Sequence, residues 1–432
     1  MKDVFYTYLA KKLGYLPTNN CVNQTPLLTN ILQHSLGNIP YYRKLFVEHE
    51  IANNGKINLE RFSSIPFLTK DILRSNSQEL IADNIDKKST YWNNSGGSTG
   101  EPVRFLQDKR YLRATRAITY EQERWTGYRL GDPIIHVWGD EREVIKGSQS
   151  LKAKLTNYIK NRTLLNSFRM SREARYDYIR TINRTQPSLI KSYAQSMYEL
   201  CKFAEEENLE ISGVGAVMTS AGTLYPFMRE TIERVCQTKV FNHYGSREVG
   251  AIACECEKQE GLHVASQGIY VEIVDPNGKP CPPNVEGEII VTSLINYAMP
   301  FIRYRIGDFG SISNSCCSCG RPGLLLKKVS GRVTDVFKAS LGKIVPAEYF
   351  IHIIGVVQNK GAIKKFQVIQ KKLNVILIKI VKDNTLEDRE LDDIKTKLQL
   401  VMGTDCQFEF EFVEEIPPLA SGKYRYTIRE IE

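Results

Sequence analysis

The sequence contains no uninterrupted apolar run near the roughly 20 residues that a membrane-spanning helix needs. Its first residues, Met1-Lys2-Asp3-Val4-Phe5-Tyr6, lack the continuous apolar core of a secretory signal peptide. A transmembrane protein is therefore not expected, and a cytoplasmic location is. Zinc-finger spacing, an RNP-like stretch and leucine-zipper heptads are missing too, so nucleic acid is not an expected partner. A Walker A loop is also lacking. The Gly- and Ser-rich loop of this chain ends at Gly100 and continues Glu101-Pro102, where that motif requires Lys followed by Ser or Thr. This excludes a conventional P-loop kinase or ATPase. Internal repeats and low-complexity segments are absent.

What is present describes a globular chain. At 432 residues, with 42% hydrophobic and 10% aromatic side chains, it has the means to bury a large core and to divide into two or three domains. In a chain of this length without an export signal, its ten cysteines are expected to bind metal or to sit reduced in the core. The formal charge of +9 is concentrated. Between Arg142 and Lys191 lie twelve Lys or Arg (142, 146, 152, 154, 160, 162, 169, 172, 175, 180, 184, 191) against Glu143, Glu173 and Asp177. Such a strip suits an anionic substrate or peripheral contact with an anionic membrane surface, and it also fits a solvated helical face.

Apolar spacing of three and four predicts helices over Val4 to Leu13 and Leu27 to Leu36. The phrase from Ile65 to Arg74 reads as a turn opening a helix, with Thr69 as N-cap and Asp71 near the positive helix end. Short β-branched or aromatic runs from Pro133 to Trp138 and from Gly213 to Thr219 lie near helical stretches such as Tyr193 to Glu207. Alternation of strand and helix predicts an α/β core.

Several motifs carry chemistry. The loop Ser95-Gly96-Gly97-Ser98-Thr99-Gly100 has the glycines and hydroxyls of a phosphate cradle: backbone N–H groups are free to converge on one anion while Ser95, Ser98 and Thr99 add donors. A Ser/Gly surface turn has the same composition. Tyr244-Gly245-Ser246-Arg247-Glu248 follows a strand expected over Lys239 to Asn242 and offers an aromatic for a base and a carboxylate for magnesium. Asp308 follows Gly307 in a position suited to accept hydrogen bonds from two ribose hydroxyls. The segments Ser330-Gly331-Arg332 and Ser421-Gly422-Lys423 come last. Separately, Cys254, Cys256 and His263 precede Cys316, Cys317 and Cys319, a set from which three thiolates and one imidazole suit tetrahedral zinc; buried reduced cysteines are the alternative.

In this order the motifs resemble the adenylate-forming superfamily of acyl-CoA synthetases and peptide-synthetase adenylation domains. The match is strongest to the phenylacetate-CoA ligase family and its capsule-biosynthesis, CapK-type branch. The resemblance spans nearly the whole chain, and it implies an α/β adenylate-forming fold. A large N-terminal nucleotide- and acyl-binding domain (1–331) would precede a small, mobile α+β domain (332–432) carrying the catalytic lysine. By this similarity residues 95 to 100 hold the ATP phosphates and Ser220-Ala221-Gly222 borders adenine and acyl group. Tyr244 lies against the adenine, with Gly245 and Ser246 in the same nucleotide segment, and Glu248 ligands Mg2+. Asp308 binds the ribose, Arg332 lies near hinge and nucleotide, and Lys423 bridges the carboxylate and the phosphate it attacks.

The resemblance implies AMP-forming activation of a carboxylic acid by ATP, followed by transfer to CoA. The capsule branch implies instead an amine or sugar acceptor in surface-polysaccharide assembly. Metal-containing relatives point to Cys256, His263, Cys317 and Cys319 as ligands of a structural Zn2+, with Cys254 and Cys316 as replacements. The chain departs from the family pattern in three places: Arg247 precedes Glu248 where a hydroxyl residue is common, Thr334 and Asp335 occupy the hinge, and Glu101 stands where many relatives have Lys, leaving Arg104 as a substitute.

Overall fold

The computed structural model describes residues 23–95, 103–139, 157, 161–167, 170–330, 337–340, 344–345, 347–354, 362–382, 386–417 and 426–431. They fall into two compact units. The first takes in the described residues of Met1–Ser95, Val103–Trp125 and His243–Ser330; the second those of Thr126–Asn242 and Gly331–Glu432.

The first unit is built on antiparallel strands, in the order Ile269–Val274, Gly287–Ser293, Tyr304–Ile312, Leu325–Ser330, Leu262–Val264, Gly250–Glu255. One face packs on a core of Ile289, Val291, Phe301, Tyr304 and Leu326 together with Leu28, Ile31, Leu32, Tyr42, Phe46 and Phe105. Those N-terminal residues come from helix Gln24–Asn38, where Leu28, Ile31, Leu32 and Ser35 follow the three-and-four spacing, and from helix Pro40–Glu48, which opens on proline. The expected helix over Leu27 to Leu36 is therefore observed, two to three residues longer at each end, whereas Val4 to Leu13 lies outside the described residues. Thr69 caps helix Lys70–Ser75, its hydroxyl accepting from the Ile72 N–H at 3.2 Å.

The phrase around Thr69 also has a long-range role. Leu68 pairs with Tyr304 as a short parallel bridge, donating to the Arg303 carbonyl at 3.0 Å and accepting from the Arg305 N–H at 2.9 Å. Arg303 is buried, and its guanidinium donates to both carboxylate oxygens of Glu272 (3.1 and 3.0 Å) and to the carbonyls of Ser63 and Ile65. Phe67 stacks on it at 4.4 Å. Its backbone sits at φ +48°, a left-handed conformation uncommon for a residue with a Cβ.

The second unit holds parallel strands Arg162–Asn166, Ile134–Trp138, Leu189–Tyr193 and Val217–Ser220, in that order. Helices Arg172–Thr185, Ala194–Glu206 and Pro226–Cys236 bury Ile179, Met197 and Ile232 against Ile135, Ile190 and Val217. Near-continuous burial along Leu189–Tyr193 is what a parallel strand covered on both faces requires. Strand Val240–Ser246 begins here, its first residues pairing in parallel with Val217–Ser220. After residue 337 the chain forms a four-stranded sheet, Gln407–Phe412, Val375–Lys382, Ile363–Lys372, Thr427–Arg429, backed by helix Asp388–Met402 with a Glu387/Glu390 capping box. Its core of Phe337, Tyr349, Phe350, Phe366, Ile378 and Leu398 includes Tyr193 of the same unit. No described helix is long and apolar enough to cross a membrane.

The Arg303 arrangement yields a measurable expectation. Arg303→Met strands the Glu272 carboxylate and leaves the Ser63 and Ile65 carbonyls short of a donor, so it should lower unfolding free energy by about 3–5 kcal/mol, and Arg303→Met/Glu272→Met should recover much of that. Chemical denaturation of the three proteins reads this; a loss under about 1 kcal/mol in the single variant would contradict it.

Candidate functional site

Strands Thr90–Asn94 and Arg104–Asp108 form an antiparallel hairpin whose last pair is Asn94 with Arg104. At its mouth the Ser95 N–H donates to the Val103 carbonyl at 2.9 Å, and the Val103 N–H donates to the Ser95 hydroxyl oxygen at 2.8 Å. Ser95 is buried and ties the two ends of the loop together, leaving its hydroxyl proton for another acceptor. Gly96, Gly97, Ser98, Thr99 and Gly100 lie outside the described residues, as do Arg332, Thr334, Asp335 and Lys423.

The hairpin is linked to the second motif by Gln107. This buried amide donates to the carbonyls of Arg247 (3.0 Å) and Glu248 (3.2 Å) while accepting from the Asn93 amide (3.1 Å). The Glu248 carboxylate is itself buried, with the Tyr304 hydroxyl 3.5 Å away. Strand Val240–Ser246 does not stop at Asn242 but runs on through Tyr244, Gly245 and Ser246, whose residues pair with Gly250–Glu255. A Cβ on Gly245 would sit 2.7 Å from the Gly250 carbonyl oxygen, so only glycine fits at this crossing. Ser246 accepts from the Val249 N–H at 3.3 Å, holding the turn that aims Glu248.

Tyr244 and Asp308 meet directly: the phenol donates to Asp308 Oδ2 at 2.9 Å. Asp308 reaches that position because Tyr304–Ile312 bulges, not because the chain turns away after Gly307. Arg305 pairs with Ile290 and Phe309 with Glu288, so three residues, Ile306 to Asp308, oppose Ile289 alone. Gly307 takes the left-handed φ of +87° that the bulge needs. Sequence reasoning assigned Tyr244 and Asp308 separate tasks and missed Gln107 and Tyr304, because cross-strand register is not written in local spacing.

In the second unit Ser220-Ala221-Gly222 follows the carboxyl end of Val217–Ser220, the side of a parallel sheet where ligands bind. Ala221 is held at φ +61°, a strained conformation for alanine. The basic strip is not one surface among its described members. Arg175 is buried against Phe203 at 4.2 Å, Arg172 pairs with Glu207 at 2.7 Å, and Arg180 faces Asp177 at 3.4 Å.

A second constellation lies at the other end of the first unit's strands. The ligand-type atoms of Cys256, His263, Cys317 and Cys319 all fall within 4.8 Å of one another. Cys256 and Cys317 sulfurs are 3.5 Å apart, and Cys319 Sγ is 3.4 Å from His263 Nε2. Tetrahedral zinc with Zn–S near 2.3 Å separates its sulfurs by about 3.7 Å, so this donor set fits the ion. Backbone N–H groups two residues on, from Lys258 and Arg321, donate to Cys256 and Cys319 at 3.4 Å each. Burial pushes the Cys256 thiol up and Cys317 up to about 12; at Cys319 burial also opposes ionisation, but the Arg321 N–H and the neighbouring thiols outweigh it and hold the group below its ordinary value. Burial lowers His263, which favours the neutral imidazole that a metal needs. Cys254 and Cys316 are not in the cluster.

Residues 337–430 match the family described as CapK C-terminal domain, and residues 166–297 match the one described as AMP-binding enzyme. The chain is 25% identical to protein CapK of Staphylococcus aureus over 91% of this chain and 86% of that one. It is 24% identical to a phenylacetate-coenzyme A ligase of Thermus thermophilus over 72% of this chain and 70% of that one. Among solved structures it superposes on a 2-hydroxyisobutyryl-CoA ligase in complex with 2-HIB-AMP and CoA with a TM-score of 0.62 at 19% identity, covering 94% of this chain and 89% of the other. An open conformation of that ligase gives a TM-score of 0.59 at 18% identity, covering 96% of each chain. The fold is thus the α/β fold of the adenylate-forming ligases, as the sequence led us to expect.

Gln107→Leu should test how the motif around Glu248 is held. Losing the donors to two carbonyls should cost about 1–3 kcal/mol and speed amide hydrogen exchange over residues 246–249. Unchanged exchange there would show that the motif does not depend on Gln107.

Proposed function

This chain belongs to the adenylate-forming superfamily, in the phenylacetate-CoA ligase family and its CapK branch, and on that premise we propose that it activates a carboxylic acid with ATP and passes the acyl group to CoA. The observation that carries the reading is two hydrogen-bonded groups drawn from motifs far apart in sequence: Gln107 with Arg247 and Glu248, whose carboxylate faces Tyr304, and Tyr244 with Asp308. The first supports the reading by tying the Glu248 motif to the hairpin whose loop has the composition of a phosphate cradle, and the second by joining an aromatic to a carboxylate.

In this reading Tyr244 lies against adenine and Asp308 accepts from the ribose hydroxyls, with Gly245 and Ser246 shaping the strand end. Ser95 to Gly100 contact the phosphates, and Ser220-Ala221-Gly222 borders base and acyl group. Glu248 would hold Mg2+, which when bound would supply charge neutralisation to the phosphates. A carboxylate oxygen of the acid attacks the α-phosphorus of ATP, the bond to the pyrophosphate oxygen breaks, and an acyl-adenylate forms. Two anions approach in this step, and in this reading Lys423 would supply the cation that bridges them and Arg332 would act on the nucleotide. The CoA thiol then loses its proton and attacks the acyl carbonyl carbon, and AMP leaves.

A second acceptor is favoured by the match of residues 337–430 to the CapK C-terminal domain. In that reading an amine or sugar replaces the thiol, in surface-polysaccharide assembly. Cys256, His263, Cys317 and Cys319 would hold a zinc ion with a structural role, since four protein ligands leave no open position for substrate.

The chain should release AMP and pyrophosphate only when a carboxylic acid is supplied, and Lys423→Ala should reduce pyrophosphate exchange by orders of magnitude while ATP still binds. Release of ADP would overturn the mechanism. Once an acid is found, CoA and amines are offered separately: faster AMP release with CoA supports the ligase, and faster release with an amine alone replaces it with the CapK-type reading.

Purified chain should contain about one zinc per molecule, and chelation should lower the melting temperature before it lowers exchange activity. A metal-free preparation made without chelator would leave these four residues as core side chains.

A further inference from the structure

Two turns of the first unit carry the thiols of the cluster. The Gln259 N–H closes one by donating to the Cys256 carbonyl at 3.1 Å, and the Gly320 N–H closes the other by donating to the Cys317 carbonyl at 3.2 Å. The first turn links strand Gly250–Glu255 to the strand of His263, and the second lies between strands Tyr304–Ile312 and Leu325–Ser330. Their charges are complementary. Glu257 and Glu260 belong to the first, whereas Cys317-Ser318-Cys319-Gly320-Arg321 has no acid and ends on a cation.

Side chains outside the four-residue donor set join the turns. Glu260 grips Ser318, the residue between Cys317 and Cys319, with both carboxylate oxygens: the Ser318 N–H donates to Oε2 at 2.8 Å and its hydroxyl donates to Oε1 at 2.6 Å. Glu257, the neighbour of Cys256, accepts from Arg321 Nη1 at 2.7 Å. The same guanidinium lies over the Trp125 ring, 5.1 Å from its centroid. Trp125 in turn packs on Cys256, Cys317 and Leu325 and stands edge-on to the His263 ring at 5.7 Å. Neither carboxylate contact passes through a sulfur or an imidazole nitrogen, so both act between the turns independently of an ion.

We infer that Glu260 and Arg321 are positioning residues of the metal centre: they bind the two turns to each other through Ser318 and Glu257, so that Cys256, His263, Cys317 and Cys319 are gathered before the metal arrives. The inference rests on the zinc reading above. A site organised in advance loses less conformational freedom on binding and so holds its ligand more tightly. Removing outer contacts of a metal site typically lowers metal affinity about 10- to 100-fold.

The test uses the full chain in wild type, Glu260→Gln and the double variant Glu260→Ala/Arg321→Met. Zinc alone, titrated against a competing chromogenic chelator, should bind the double variant about 10- to 100-fold more weakly, and Glu260→Gln, which keeps an oxygen for the Ser318 N–H, near wild type. Exposed polar pairs add little to global stability, so the metal-free proteins should melt alike. Amide hydrogen exchange over residues 256–263 and 317–321 should be faster in the metal-free double variant than in metal-free wild type, and saturating zinc should erase the difference, because the ion then ties the turns itself. Wild-type zinc affinity or unchanged metal-free exchange in the double variant overturns the inference. So does faster exchange that persists with zinc bound and comes with lower metal-free melting, which marks a packing role. A wild-type chain that takes up no zinc fails the zinc reading, while metal-free exchange still reads whether the two contacts hold the turns.

Discussion

A single buried guanidinium organises the first unit. Arg303 brings three segments to one point: the carbonyls of Ser63 and Ile65 with the Phe67 ring, the carboxylate of Glu272, and its own strand. Arginine's planar fork suits this task, since one cation meets a bidentate carboxylate and two carbonyls with four of its five N–H donors. The cost is a desolvated ion pair and a left-handed backbone, and a pair of this kind serves specificity more than net stability. What it specifies is position. Tyr304, the next residue, is fully buried with its hydroxyl toward Glu248, and four residues further Asp308 meets Tyr244.

The local features were legible in the sequence. Spacing predicted helix Gln24–Asn38, Thr69 marked the start of Lys70–Ser75, and the runs at Pro133 to Trp138 and Gly213 to Thr219 overlap strands Ile134–Trp138 and Val217–Ser220. The roles of the motifs were read one at a time, and the contacts joining them were not. Gln107 is an unremarkable polar residue in a strand until its two carbonyl partners, more than a hundred residues away, are seen. Gly307 sits in a bulge inside a continuous strand, which uses the same left-handed glycine that a turn would and so cannot be told from one in the sequence. The basic strip misled in part because charge counts ignore burial: Arg175 is a core residue stacked on Phe203.

The cysteines show how geometry selects among equal candidates. Cys254 and Cys256 lie two apart on neighbouring positions of one chain, yet Cys254 Sγ donates to the Glu255 carbonyl while Cys256 meets Cys317. Adjacent Cys316 and Cys317 separate more sharply, Cys316 being exposed and Cys317 buried. The N–H groups of Lys258 and Arg321 then act alike on two thiols from different segments, so each ligand-bearing turn comes with its own charge-stabilising donor.

The bulge at Ile306 to Asp308 makes this segment far more sensitive to length than to identity. Side chains on a strand alternate between faces, and because the three-against-one step adds two residues, an even number, Tyr304 opposite Val291 and Gly310 opposite Gly287 stay on one face. A deletion of one residue here would not remove a contact so much as invert the facing of everything from Phe309 onward, including its pairing with Leu325–Ser330. Whatever side chains surround Asp308, the number of residues between Tyr304 and Phe309 is set by the sheet.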